Sequence, residues 1–151
     1  MRRSDREITD KRTIDDIIRR CRVCRLGLCL DGEPYVVPLT FGYDGEFLYF
    51  HTAVAGKKLD ILRKNNRVWF EFDILHETLE ADNACNWSIR YESVMGSGSA
   101  EFMDDPEEMR QGLERIMEQY SPREFTFPEE MLRKIRVFRV RIESIGGKAK
   151  L

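Results

Sequence analysis

The residues of this chain best suited to chemistry lie in Phe50-His51-Thr52-Ala53-Val54-Ala55-Gly56-Lys57-Lys58-Leu59, where an aromatic strand pattern gives way to a short glycine-containing loop and then to helical spacing. The first turn of a helix offers N–H groups with no partner inside the helix, and the macrodipole adds partial positive charge there. Two adjacent ammonium groups, Lys57 and Lys58, complete a receptor for one phosphate dianion. A GxxxxGK[ST] loop is absent, which argues against a nucleoside triphosphatase. The competing reading of the lysine pair is that it solvates a helix end.

Two further segments carry weaker signals. In Pro34-Tyr35-Val36-Val37-Pro38-Leu39-Thr40-Phe41 a proline interrupts an otherwise buried-looking strand and leaves backbone groups unpaired, as at a sheet edge or bulge. A flat heterocycle can use such donors and acceptors along its rim while its faces rest on apolar side chains. In Trp87-Ser88-Ile89-Arg90-Tyr91-Glu92-Ser93-Val94-Met95-Gly96, alternation places Trp87, Ile89, Tyr91, Ser93 and Met95 on one face. That mixture suits a cofactor wall, and equally a barrel strand with aromatic residues in a core or interface.

The elements that must position these residues read as follows. A short helix is expected from Thr13 to Arg20, with Thr13 as its cap. A strand over Arg22–Leu30, a turn at Asp31-Gly32-Glu33-Pro34 and a strand over Pro34–Tyr43 form a hairpin. After a turn at Tyr43-Asp44-Gly45-Glu46 comes a strand over Phe47–His51, with Phe47, Tyr49 and His51 on one face. A helix over 55–64 stops at Asn65-Asn66. A strand over Arg67–Leu75 precedes a polar loop from His76 to Asn86, in which His76 is read as an exposed loop residue. Trp87–Phe102 is a long strand with a bend at Gly96-Ser97-Gly98-Ser99. Asp105-Pro106 opens a helix with Met109, Leu113, Ile116 and Met117 on one apolar face. Ile135–Ile145 alternates as a last strand and ends in Gly146-Gly147. About six strands joined mostly by hairpins point to one mainly β domain over 1–151, an antiparallel barrel with peripheral helices, having a helical lead-in over 1–20 and helices within 104–134.

Composition narrows the function classes. With 25 Lys+Arg against 27 Asp+Glu in 151 residues, the chain has no basic excess of the kind that marks phosphate-backbone binding, so nucleic acid is not expected as a partner. No apolar run approaches the roughly 20 residues of a bilayer span, and the charged start MRRSDREITDKR lacks the apolar stretch of a signal peptide, so a cytoplasmic protein without membrane association is expected. Cys21, Cys24, Cys29 and Cys85 are read as reduced thiols. Cys21-x-x-Cys24 has no second CxxC at zinc-ribbon spacing, so no metal site is assigned.

Taken together and in this order, Arg25-Leu-Gly, Pro34-Tyr-Val-Val-Pro-Leu, Leu48-Tyr-Phe-His51, Gly56-Lys-Lys-Leu and Tyr91-x-Ser-Val resemble the pyridoxamine 5′-phosphate oxidase-related family of FMN-binding split β-barrels. The resemblance runs from about Arg19 to Gly98, more faintly to Gly147-Lys148, and is greatest to the small Nim-type members linked to 5-nitroimidazole resistance. It implies that backbone around Val37, Pro38, Leu39 and Thr40 meets the flavin ring and that Lys57 and Lys58 hold the FMN phosphate. His51, Thr52 and Ala53 would lie against the cofactor or its pocket, and Tyr91 and Ser93 would face the flavin. It also implies a homodimer whose flavin sites are lined by both chains. FAD is the alternative cofactor. His51 matches a histidine treated as functional in Nim-type proteins; it stands as the candidate proton donor to a small-molecule substrate, or as a hydrogen-bonded wall residue. The chain stops at Gly-Gly-Lys148-Ala-Lys-Leu151, without the Arg-x-x-Pro-like segment of the longer oxidases, which argues against vitamin B6 oxidation. The expected activity is that of an FMN-dependent oxidoreductase, with nitroreduction as one reaction; the rival is a protein that stores or senses flavin, or holds another planar cofactor, without turnover.

Overall fold

The structure, a computed structural model, describes residues 4–151; the first three residues of the expected lead-in lie outside the described residues. A 3-10 turn at Ser4–Arg6 and a short strand β1 (Glu7–Ile8) lead to helix α1 (Lys11–Arg20). The helix starts before Thr13 because the cap is Asp10. Its carboxylate accepts from the Thr13 N–H at 2.9 Å and from the Thr13 hydroxyl at 2.7 Å, so Thr13 serves the cap as a donor. Ile14, Ile17 and Ile18 form the buried face of α1.

Strands β2 (Cys24–Leu30) and β3 (Glu33–Leu39) form a hairpin about Asp31-Gly32, followed by β4 (Gly42–Tyr43) and β5 (Phe47–Ala53). Helix α2 (Lys57–Lys64) separates β5 from the long strands β6 (Arg67–Leu79) and β7 (Ser88–Met103). Helices α3 (Pro106–Glu118) and α4 (Glu129–Leu132) precede the last strand, β8 (Ile135–Lys150). Every pairing is antiparallel, in the order β3-β2-β6-β7-β8-β5-β4, with β1 added on β8. The ladder does not close: β3 and β4 are its two ends. The fold is the expected one, an open, split antiparallel barrel with peripheral helices. Pro34 and Pro38 both sit on edge strand β3, where a missing N–H costs no ladder bond to an outer neighbour.

Alternate residues of the strands build the principal core, including Leu26, Phe50, Phe70, Phe72, Val94 and Phe138, closed by the apolar face of α1. The Phe50 and Phe138 rings stack at 5.1 Å, and Phe41 packs on Phe72 at 4.8 Å. A second cluster lies on the opposite face of β5 and β8, where Phe47, Tyr49, Met103 and Val137 are covered by Met109, Leu113 and Ile116 of α3 and by Leu132. β5 is therefore buried on both faces from Phe47 to Phe50 and emerges at His51.

Three further expectations are corrected. The segment from His76 is strand as far as Leu79, with a register shift between Leu75 and Glu77 that makes His76 the bulged residue. Its polar side chains read as loop because their partners are across the sheet: Glu77 pairs with Arg90 at 2.9 Å, and His76 Nε2 lies 2.8 Å from Glu92 Oε2. Buried Glu92 also accepts two bonds from the Arg20 guanidinium, both 2.8 Å, tying α1 to the sheet. The helix expected from residue 55 begins at Lys57. Finally, β8 runs through Gly146-Gly147 to Lys150, because Gly147 is paired on both sides, with Val94 and with Ile8. The expected bend in β7 is present as a register shift between Ser97 and Gly98.

β4 and α3 approach closely at Gly42, where an added Cβ would stand 2.4–2.6 Å from the backbone of Arg115 and Ile116 in α3. Backbone cannot yield as a side chain can. Gly42→Ala is expected to lower unfolding free energy by about 2 kcal/mol or more by forcing α3 off β4. Gly27→Ala, whose Cβ would meet Trp69 at an ordinary 3.6–3.7 Å, is expected to leave stability nearly unchanged. Paired thermal melts check this, and equal melting temperatures for the two variants would contradict it.

Candidate functional site

The split in the sheet sets the position of the site. Gly42 pairs with Tyr49, and continuing that register two residues outward would bring Thr40 to His51, but the ladder stops at Gly42. The connection from β3 to β4 is held instead by Tyr120, whose hydroxyl accepts from the Phe41 N–H at 3.0 Å and donates to the Arg22 carbonyl at 2.8 Å. In β3, Val37 and Leu39 pack toward the principal core, while Val36 and Pro38 are exposed on the other face and Thr40 is exposed at the strand end. The outer edge of β3 has no strand partner.

The start of α2 bridges this gap. Lys57 Nζ lies 5.0 Å from the centre of the Tyr35 ring on β3, and Lys58 Nζ donates to Thr52 Oγ1 on β5 at 2.8 Å. Adjacent side chains thus reach the two separated edges. Gly56, the N-cap, has φ 144°, a conformation L side chains rarely adopt, and an added Cβ would meet nothing within 4 Å. No side chain caps α2, in contrast to Asp10 on α1 and Asp105 on α3. The Lys57 and Lys58 N–H groups therefore have no hydrogen-bond partner among the described residues, whereas Leu59 N–H donates to the Gly56 carbonyl at 2.9 Å; beside them stands the half-buried Lys58 ammonium, which has no carboxylate partner among the described residues, a combination suited to an anion. Burial lowers the Lys58 pKa from its ordinary value.

His51 sits one residue from Thr52 on the opposite face of β5, in line with Phe47 and Tyr49 as the alternation predicts, and it pairs with Val137 of β8. Part of its surface meets solvent, but the chain packed around the ring, together with the Lys58 ammonium, holds its pKa below the usual imidazole range. The ring is neutral at pH 7. Ala53 ends the strand opposite Ile135. His51, Thr52, Ala53, Lys57, Lys58 and the edge from Val37 to Thr40 are thus grouped about one opening.

Tyr91 and Ser93 are not part of that group within one chain. The row through His51 and Val137 meets β7 at Met103, ten residues from Ser93 and about 30 Å along the strand. Both stand instead on the outer sheet face, with exposed Val36, Trp69 and Met95. Sequence reasoning also missed Tyr35 and Tyr120, which hold the site from outside it. Tyr35 was visible as an aromatic on an edge strand, whereas nothing local to Tyr120 signals a contact about 80 residues away. Cys21 and Cys24 are buried and Cys29 and Cys85 exposed, all free; burial pushes the Cys21 thiol up to about 11. No group of three metal-ligating side chains exists among the described residues, and no helix among them is long and apolar enough to cross a membrane.

An open antiparallel barrel with an uncapped helix start at its split defines a class of protein, and the family model for pyridoxamine 5′-phosphate oxidase matches residues 10–149. The chain belongs to that family. Among solved structures it is similar to a candidate 5-nitroimidazole antibiotic resistance protein from Bacteroides thetaiotaomicron, with 36% identity, 94% of this chain and 85% of that one covered, and a TM-score of 0.85. The flavocytochrome Anf3 from Azotobacter vinelandii shares the fold at 21% identity and TM-score 0.88, covering 100% of this chain and 72% of its own. An FAD and heme binding protein from Mycobacterium smegmatis does so at 19% and 0.87, covering 96% and 73%. A curated relative, the uncharacterised protein RA0666 of Rhizobium meliloti, is 39% identical over 46 residues, a match spanning 30% of each chain.

The electrostatics of His51 yield a direct expectation. Its imidazole should titrate below the ordinary value of ~6.5 in an NMR pH series, and Lys58→Ala should move it upward. Because the unfolded chain takes up this proton more readily, His51 costs stability only as pH falls below ~6.5. A value at or above the ordinary one, or no response to Lys58→Ala, would contradict the assignment.

Proposed function

We propose that the chain binds FMN across the split of the barrel and works as an FMN-dependent oxidoreductase on a small molecule in the cytoplasm. The observation that carries this reading is the uncapped start of α2, with Gly56 leaving open space and Lys58 fixed by Thr52 beside an unpaired sheet edge. The residues present fit a flavin phosphate: first-turn N–H groups donate to its oxygens and Lys58 balances its charge. The free edge of β3 around Val37, Pro38, Leu39 and Thr40 offers backbone donors and acceptors to the rim of a ring. FAD carries the same FMN half and would use the same anchor.

The flavin supplies the hydride or electron transfer when bound. The protein fixes the phosphate through Lys58, orients the ring along β3, and sets His51 at the mouth of the opening. A neutral imidazole there can relay a proton, taking one up from solvent at one ring nitrogen as it gives the other nitrogen's proton to the reduced substrate. Nitro-group reduction is one reaction that needs such a proton; binding without turnover is the rival outcome. Exposed Val36 and Trp69, 65% and 63% accessible in the single chain, support burial of the outer sheet face against a second copy, as a homodimer. In that dimer Tyr91 and Ser93 would reach the partner's flavin.

The lysines should differ. Lys57 is engaged with Tyr35, and only Lys58 is held at the opening. Lys58→Ala is expected to weaken FMN binding by about tenfold or more and Lys57→Ala by less, read by flavin fluorescence titration. Unchanged affinity in both variants would overturn the phosphate assignment. Bound flavin that NAD(P)H reduces and an acceptor reoxidises supports the enzyme, and flavin inert to every reductant tried supports the binding protein.

A further inference from the structure

The start of β8 brings one more cation to the α2 opening. Thr52 of β5 pairs with Arg136, and Phe50 pairs with Phe138 two residues inward. Directly opposed residues of an antiparallel pair project from the same face. The stacked Phe50 and Phe138 rings, 5.1 Å apart, mark that face as the one turned to the principal core. Arg136 therefore leaves the sheet beside Thr52, whose Oγ1 holds the Lys58 ammonium.

Arg136 is half-buried, and little of its hydrogen-bonding capacity is used. Its Nη1 donates to the Ile135 carbonyl at 3.1 Å, while its Nε and Nη2 donors have no partner among the described residues. No carboxylate there pairs with it. The β7 ladder stops at Met103, opposite Val137 and one residue short of Arg136, and Asp104 makes no ion pair with the guanidinium. A partly desolvated cation without an anion is a cost to the fold that a bound anion removes. A phosphate monoester carries about two negative charges near pH 7, whereas Lys58 supplies one positive charge and the helix start roughly half of one. Lys57 is turned to Tyr35. Arg136 makes up the deficit, and its planar fork suits two phosphate oxygens at once.

We propose that Arg136 is a ligand of the phosphate held at α2, which lies between the helix start, Lys58 and Arg136 on the Thr52 side of β5, with His51 on the other side of the strand. The source of that phosphate rests on the flavin reading; the anion site itself does not. Fluorescence titrations give the affinities for FMN and riboflavin of wild type, Arg136→Gln and Arg136→Lys, and phosphorus NMR follows inorganic phosphate with the same proteins. Arg136→Gln is expected to weaken FMN about tenfold or more and to leave riboflavin unchanged, because only the phosphate meets the guanidinium. Arg136→Lys keeps the charge without the fork and should lose less, again for FMN alone; it carries the test if the glutamine variant fails to fold. Inorganic phosphate should bind wild type saturably and Arg136→Gln more weakly. Unchanged FMN affinity in both variants would overturn the inference and leave the flavin reading standing. Equal weakening of FMN and riboflavin would overturn it as well, by making Arg136 a support of the sheet. Arg136-dependent binding of inorganic phosphate by a protein that binds neither flavin would sustain the anion site and refute the flavin reading, and no response to either inorganic phosphate or FMN would refute both.

Discussion

A β-sheet whose two ends do not meet must answer for the backbone groups it leaves unpaired, and much of this molecule is organised around that requirement. Prolines at 34 and 38 blunt one end of the ladder, and β4 at the other is only two residues long and covered by α3. What remains is a short length of free β3 edge facing the end of β5. The first turn of α2 spans the gap, with Lys57 over Tyr35 on one side and Lys58 on Thr52 on the other. The same turn leaves its own N–H groups uncapped. Unpaired edge, uncapped helix and unbalanced ammonium are three unmet needs gathered at one place, and a phosphate-bearing heterocycle meets all of them.

The surrounding core explains why the opening keeps its shape. β5 is packed on both faces through Phe50, against Phe138 on one side and beneath α3 on the other, so the residues that emerge next, His51 and Thr52, leave a rigid support. Tyr120 fixes the exit of β3 through two hydrogen bonds, and Arg20 with Glu92 locks α1 over the principal core. A site placed at the ends of elements held this way needs little ordering when a ligand arrives.

Much of this was legible in the sequence because local rules and tertiary outcome agree. Asp31-Gly32 makes the hairpin, Pro38 marks the edge, Asp105-Pro106 opens α3, and Gly56-Lys57-Lys58 marks an exposed helix start. Where reading failed, a distant partner had replaced a local signal. His76 and its neighbours look like loop until Glu92 and Arg90 are set across from them. Gly146-Gly147 looks like an end until Ile8 and Val94 are paired to Gly147. Thr13 looks like a cap because its hydroxyl does bond at the helix start, though to the true cap, Asp10. The family pattern grouped Tyr91 and Ser93 with His51, and only the register of β7 reveals their separation within one chain.

The central claim is that the opening at α2 recognises a flavin through its phosphate, and the direct measurement is the affinity of the protein for FMN beside that for riboflavin, which lacks only the phosphate. Tighter binding of FMN by about tenfold or more is predicted, since helix N–H groups and Lys58 address that group alone. Equal affinities for the two flavins, or no binding of either, would contradict the account.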